Sequence, residues 1–164
     1  MSTQGGGAQT PKSLTGGCQC GAVRYAWHGQ PAFASVCYCR MCQKASGQPF
    51  MALTGGKREH LEWTRGQPAI FKSSNMAERG FCAACGTPLT YAFEGTGRIS
   101  VTMGSLDDPE AMQPTKQYGM ESKVSWFDTI HSLPGQRTEE WLAAEKRARL
   151  VNNQHSDSDA EKRA

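Results

Sequence analysis

The sequence predicts a single, mainly antiparallel β domain. Three observations lead there. Its 164 residues suit one domain with a real core and polar tails. Val23, Tyr25 and Trp27 alternate with period two in the run after the first cysteine pair, the pattern of a strand with one buried face. Further short runs of strand-forming residues then recur between Gly, Pro and Ser punctuation, a spacing that turns the chain back on itself repeatedly.

Residues 1–13 are polar and Gly-rich and read as a disordered leader, because they offer nothing to bury. The first strand is expected within 20–28, half-buried through Val23, Tyr25 and Trp27. Strand-like runs follow at 33–36, 50–53, 61–63, 69–71, 89–93 and 98–103. Asp107-Asp108-Pro109-Glu110 reads as a short helical turn, with Asp at the capping position and Pro in the first turn. The domain is expected to span 14–135. Beyond Leu133-Pro134-Gly135, Thr138 opens a stretch rich in Glu, Ala, Lys, Arg and Leu, so 136–164 reads as a short C-terminal helix and a polar tail that frays from Asn152. Nothing repeats except the cysteine pattern.

Met1 to Thr10 holds no apolar run, and nowhere are 18 consecutive residues apolar, so a soluble cytoplasmic protein without signal peptide or membrane span is expected. The formal charge is +3. If all the thiols ionise around two divalent cations that surplus vanishes, and several Lys and Arg lie in the tails, so no basic footprint for nucleic acid is expected.

The seven cysteines fall in three clusters, Cys18-Gln19-Cys20, Cys37-Tyr38-Cys39-Arg40-Met41-Cys42 and Cys82-Ala83-Ala84-Cys85. In a reducing compartment, cysteines one or two residues apart are metal ligands or redox centres more often than disulfides, and an odd number leaves a disulfide scheme with a spare thiol. Zinc takes four ligands in a tetrahedron, and a Cys-x2-Cys turn supplies two adjacent corners. Cys82 and Cys85 fit that rule, with Gly86 letting the backbone turn away and Phe81 as an apolar lid. Cys18 and Cys20, bracketed by Gly16, Gly17 and Gly21, make a second half-site. Together these four would close a structural zinc site, leaving a triplet one ligand short, open to water or substrate. Spacing equally permits a ribbon of Cys39, Cys42, Cys82 and Cys85 that leaves Cys18, Cys20 and Cys37. An all-thiolate zinc is a poor activator of water, yet it holds an incoming thiol deprotonated and nucleophilic. That favours thiol capture and carbon–sulfur chemistry.

Gly17-Cys18-Gln19-Cys20-Gly21-Ala22-Val23, the stretch from Cys37 to Gly47, Arg79-Gly80-Phe81-Cys82-Ala83-Ala84-Cys85-Gly86-Thr87-Pro88-Leu89, and Val101-Thr102-Met103-Gly104-Ser105-Leu106-Asp107 together resemble the glutathione-dependent formaldehyde-activating enzyme family over roughly residues 14–134. The resemblance implies a β-tent fold of several small coiled sheets around zinc. It assigns Cys18, Cys20, Cys82 and Cys85 to a structural zinc and Cys37, Cys39 and Cys42 to a second, open zinc, two Zn²⁺ per chain. It also implies glutathione or a similar small thiol and a small aldehyde such as formaldehyde as partners, in a carbon–sulfur lyase reaction; a carrier of glutathione or another thiol is the alternative. Tyr38 stands where family members often have His, and a phenol is a weaker proton carrier at neutral pH than an imidazole.

Arg40 and Lys44, beside triplet cysteines, are candidates to hold glutathione carboxylates, although exposed cations are usually just solvated. Arg79 is a candidate thiolate donor or a strand-face residue. Phe50, Trp63 and Trp126 read as core aromatics rather than pocket walls. His60 beside Glu59 reads as surface, since neighbours on a strand point to opposite faces.

Overall fold

Trp27 and Tyr25 are the two largest fully buried side chains, and the strand that carries them organises the smaller of two sheets. In the computed structural model, which describes residues 13–157, β2 (Arg24–His28) lies between β1 (Ser13–Gly17) and β5 (Leu61–Arg65), all antiparallel. Of the leader, residues 1–12 lie outside the described residues, and Ser13 opens β1. The predicted strand begins later than its sequence run, because residues 18–23 close into a loop. There the Gly21 N–H donates to the Cys18 carbonyl (3.0 Å) and the Cys18 N–H to the Val23 carbonyl (2.9 Å). Nor is β2 only half-buried: Arg24 and Ala26 are covered as well. Arg24 donates from Nη1 and Nη2 to Oδ1 and Oδ2 of Asp107 at 2.8 and 2.6 Å, so the segment around Asp107 roofs the polar side of the strand.

The larger sheet has the order β10 (Lys116–Tyr118), β3 (Phe33–Cys37), β4 (Met51–Lys57), β9 (Arg98–Thr102), β8 (Pro88–Phe93), β7 (Ala77–Phe81), β6 (Ala69–Lys72). Only the β10–β3 pair is parallel. The main core lies where the sheets meet: Leu14, Val23, Tyr25 and Trp27 pack with Leu89, Ile99 and Val101, and Cys18 and Cys82 belong to the same cluster. A smaller cluster joins Cys42, Met51 and Leu53, with Cys37, Cys39 and Tyr91 against it. The molecule is thus mainly β, with few and short helices, as expected.

Besides short 3-10 turns, three strands and one α-helix among the described residues lie beyond the sequence reading. β1 is Gly-rich, β7 carries Glu78, Arg79 and Gly80, and β10 is a three-residue polar edge; none shows an alternating apolar run. The fourth, α1 (Arg40–Ser46), starts inside the cysteine triplet and buries only Cys42 and Gln43. Around Asp108 the chain makes a turn, its Oδ1 accepting from the Glu110 N–H at 3.0 Å, and no helix forms. The C-terminal helix is two short pieces, α2 (Thr138–Trp141) and α3 (Ala144–Ala148), separated by extended backbone at Leu142 and Ala143. Past α3 the expected fraying does not begin at Asn152. His155 is buried, donates its N–H to the Gln19 carbonyl at 2.7 Å, and sets its ring against Gly21. Among the described residues, no helix is long and apolar enough to cross a membrane.

Removing one partner of a buried ion pair costs more than the pair contributes, because the other charge stays desolvated. Asp107→Ala should therefore cost about 3 kcal/mol and lower the thermal midpoint by about 6–12 °C. A midpoint within about 2 °C of the parent chain would show that the Arg24–Asp107 pair does not hold the small sheet.

Candidate metal centres

Cys82 and Cys85 occupy the turn between β7 and β8. That turn is set by the Cys82 N–H donating to the Thr87 carbonyl (2.9 Å) and the Gly86 N–H to the Cys82 carbonyl (2.8 Å). Gly86 adopts φ +78°, a left-handed conformation that side-chain-bearing residues resist. Cys18 and Cys20 lie in the loop between β1 and β2, and the Gln19 N–H donates to Thr87 Oγ1 at 3.1 Å, fastening one turn to the other. The four Sγ atoms lie within 4.8 Å of one another. Cys18 and Cys20 sulfurs are 3.6 Å apart, Cys20 and Cys82 sulfurs 3.8 Å. A tetrahedron with zinc–sulfur bonds of about 2.3 Å has edges of about 3.8 Å, whereas a disulfide needs about 2.05 Å. All seven cysteines are free thiols, and this donor set fits a four-coordinate cation. Burial works against ionising Cys85, but donation from the Thr87 hydroxyl and backbone, together with Cys20, outweighs it and brings the thiol to about 6.

The second group consists of Cys37 at the end of β3, Cys39 just before α1, and Cys42 in its first turn. Their Sγ atoms also lie within 4.8 Å of one another. The ribbon grouping that spacing permits, Cys39 and Cys42 with Cys82 and Cys85, is not formed. Burial pushes the Cys37 thiol up to about 12 and raises Cys42 against the pull of Arg79. Burial also opposes ionisation of Cys39, yet its net shift is downward, because the Cys42 N–H and the two neighbouring thiols favour its thiolate. Sulfurs this close repel one another as thiolates, and a bound divalent cation is what allows all three to ionise together. Three thiolates around zinc leave one coordination position for an outside ligand.

Two further segments hold this group in place. Arg79, on β7, is buried, donates from Nη2 to Cys42 Sγ at 3.4 Å, and lies 4.9 Å over the Tyr91 ring. No carboxylate pairs with it among the described residues, and its Nε has no hydrogen-bond partner there. A guanidinium in such a place requires negative charge from the sulfurs it faces. On the other side, β10 runs parallel to β3, pairing Tyr118 with Cys37, and the chain then turns at Gly119. Gly119 has φ +66°, and a Cβ there would stand 2.5 Å from the Cys39 nitrogen.

The triplet opens into a cavity of about 730 Å³ whose lining includes Cys37, Cys39, Cys42, Arg79 and Tyr91. Arg40 and Lys44 are exposed on α1 and do not line it; Arg40 turns back onto Gln43 Oε1. The cations that do line it, besides Arg79, are Arg98 and Lys116. Sequence reading missed these two, because strand pairing alone brings them there. Tyr38 is buried away from the cavity, its ring centroid 6.0 Å from Phe50 and 5.8 Å from Phe127 and its hydroxyl donating to Gln117 Oε1 at 3.1 Å. Trp63 packs edge-on to Tyr25 at the margin of the core, whereas Trp126 is exposed and is not the core residue expected. His60 is half-buried against Trp27. Among the described residues, no histidine, aspartate or glutamate lines the cavity.

A family model described as glutathione-dependent formaldehyde-activating enzyme matches residues 13–122. A Schizosaccharomyces pombe protein named as an uncharacterized lyase is 31% identical over 78 residues, covering 48% of this chain and 56% of the relative. The match therefore spans little more than half of that curated relative. The crystal structure of a Rhodobacter sphaeroides protein aligns with a TM-score of 0.51 at 19% identity, over 63% of this chain and 98% of that one. It shares the fold.

The two groups should respond differently to loss of a thiol. Cys82→Ser removes a donor from the four-sulfur set, of which Cys18 and Cys82 lie in the main core, and should abolish the cooperative thermal transition, as expected where a structural zinc contributes directly to folding free energy. Cys39→Ala should keep the β circular dichroism signal and a midpoint within about 5 °C of the parent. Equal loss of fold in both would contradict the division into a structural and an open group.

Proposed function

The chain belongs to the glutathione-dependent formaldehyde-activating enzyme family, and from that premise we propose that it is a zinc-dependent carbon–sulfur lyase. In this reading Cys18, Cys20, Cys82 and Cys85 hold a structural zinc, and Cys37, Cys39 and Cys42 a second one. At the second, a small thiol such as glutathione binds and is added to, or released from, a small aldehyde such as formaldehyde. The observation that carries the reading is the three-thiol group opening on a large cavity while the other group supplies all four donors itself. A reducing cytoplasm, the compartment expected from unpaired thiols, is where such thiols abound.

Zinc held by three thiolates would keep an incoming thiol deprotonated and nucleophilic. In the addition direction the thiol loses its proton to solvent, the sulfur–carbon bond forms as the carbonyl π pair moves to oxygen, and that oxygen takes up a proton. Release is the reverse. Arg79, donating to Cys42 Sγ, would supply the offsetting positive charge: three thiolates and Zn²⁺ would sum to −1, and the guanidinium would bring that total to zero. With no imidazole or carboxylate in the lining among the described residues, protons exchange with water at the cavity mouth, and holding the two reactants together supplies most of the rate. That same lack of an acid–base group supports a second reading, a non-catalytic carrier of glutathione or another thiol.

Glutathione titration of the parent chain and of Cys39→Ala, coupled to exchange kinetics of the formaldehyde hemithioacetal, separates the two. Saturable binding with exchange accelerated at least about tenfold over the uncatalysed reaction, both lost in Cys39→Ala, is the expected result. Binding without acceleration would assign the carrier role, and no binding would reject glutathione.

A further inference from the structure

The cavity has a direction. Phe33, Ser35 and Cys37 alternate on one face of β3, and all three line it. At about 3.3 Å per residue, Ser35 lies about 7 Å and Phe33 about 13 Å along the strand from Cys37. Lys116 pairs with Ser35 in the parallel register, and the Arg98 guanidinium lies 5.9 Å from the centre of the Phe33 ring. One cation therefore stands midway along the cavity and a second at its far end. Neither makes an ion pair among the described residues, and no aspartate or glutamate lines the space between them and the sulfurs. Phe33, Leu53, Met76 and Phe93 supply apolar walls.

We propose that this cavity selects an anionic thiol. Its sulfur sits at Cys37, Cys39 and Cys42, its stem lies along the apolar wall, and its carboxylates reach Lys116 and Arg98. The inference rests on the thiol-binding reading above and narrows it. A charged ammonium on the ligand's stem meets Arg98 and Lys116 and, among the described residues, no carboxylate in the lining to pair with, so a thiol carrying carboxylates alone fits better than glutathione, which carries an ammonium as well.

Calorimetric titration of the zinc-loaded full chain with three thiols tests this. The probes are glutathione, glutaryl-cysteinyl-glycine, which is the same skeleton without the ammonium, and uncharged 2-mercaptoethanol. The deaminated analogue should bind about tenfold more tightly than glutathione, with an advantage that shrinks as salt rises. The double variant Arg98→Gln/Lys116→Gln should lose about tenfold in affinity for the analogue, while 2-mercaptoethanol binds it as it binds the parent chain. An analogue that binds no better than glutathione, or that binds the double variant as it binds the parent, overturns the selection while leaving thiol binding intact. Failure of all three thiols to bind overturns the thiol reading and this inference with it.

Discussion

Two turns from distant parts of the chain have to meet. Cys20 and Cys82 are 62 positions apart, yet their sulfurs are 3.8 Å from each other. One turn hangs between β1 and β2 of the small sheet, the other between β7 and β8 of the large one. Bringing their sulfurs to tetrahedral spacing therefore fixes how the sheets face each other, and the core of Trp27, Tyr25, Leu89 and Val101 fills the space that results. The Gln19–Thr87 bond and the docked His155 reinforce the same junction. Four thiolates at the margin of a core would be tolerable only with a compensating cation, so in the proposed reading the folding of this domain and its metal binding are one problem.

The same junction positions the open group. β7 runs into Cys82, and three residues earlier it carries Arg79 to Cys42. The strand that delivers the structural turn thus also delivers the counter-charge of the triplet. From the other edge of the sheet, β10 brings Gly119 against Cys39 and Lys116 beside Ser35. The triplet is contiguous in sequence, but its surroundings are not, and its cavity is assembled from β3, β4, β7, β8, β9 and β10 together with the segment before β7. Its lining combines three thiols, apolar walls and, in Arg98 and Lys116, cations without a carboxylate beside them among the described residues.

Much of this was legible from residue spacing. Val23, Tyr25 and Trp27 announce the central strand of the small sheet, and the cysteine clusters announce thiolate sites. Resemblance to the family, rather than spacing, separated the sulfurs into four and three, and the structure forms those same groups. The rest was hidden for physical reasons. α1 is seven residues long and buries two, too little for a helical stripe. β10 is polar and becomes a strand only through pairing with residues some eighty positions away. Arg40 and Lys44 were conspicuous because they adjoin cysteines, but on a helix surface adjacency does not aim a side chain at the site. Arg98 and Lys116, remote in sequence, line the cavity because neighbouring strands carry them there. Tyr38 sits within the triplet motif yet turns into the aromatic cluster of Phe50 and Phe127, so its replacement of histidine bears on packing.

The central claim is that seven thiols make one complete and one open cation site. Metal analysis combined with native mass spectrometry of the full chain, purified without chelator, addresses it most directly. Two zinc ions per chain are expected, with one retained in Cys39→Ala. A single zinc in the parent chain, or none, would contradict the account.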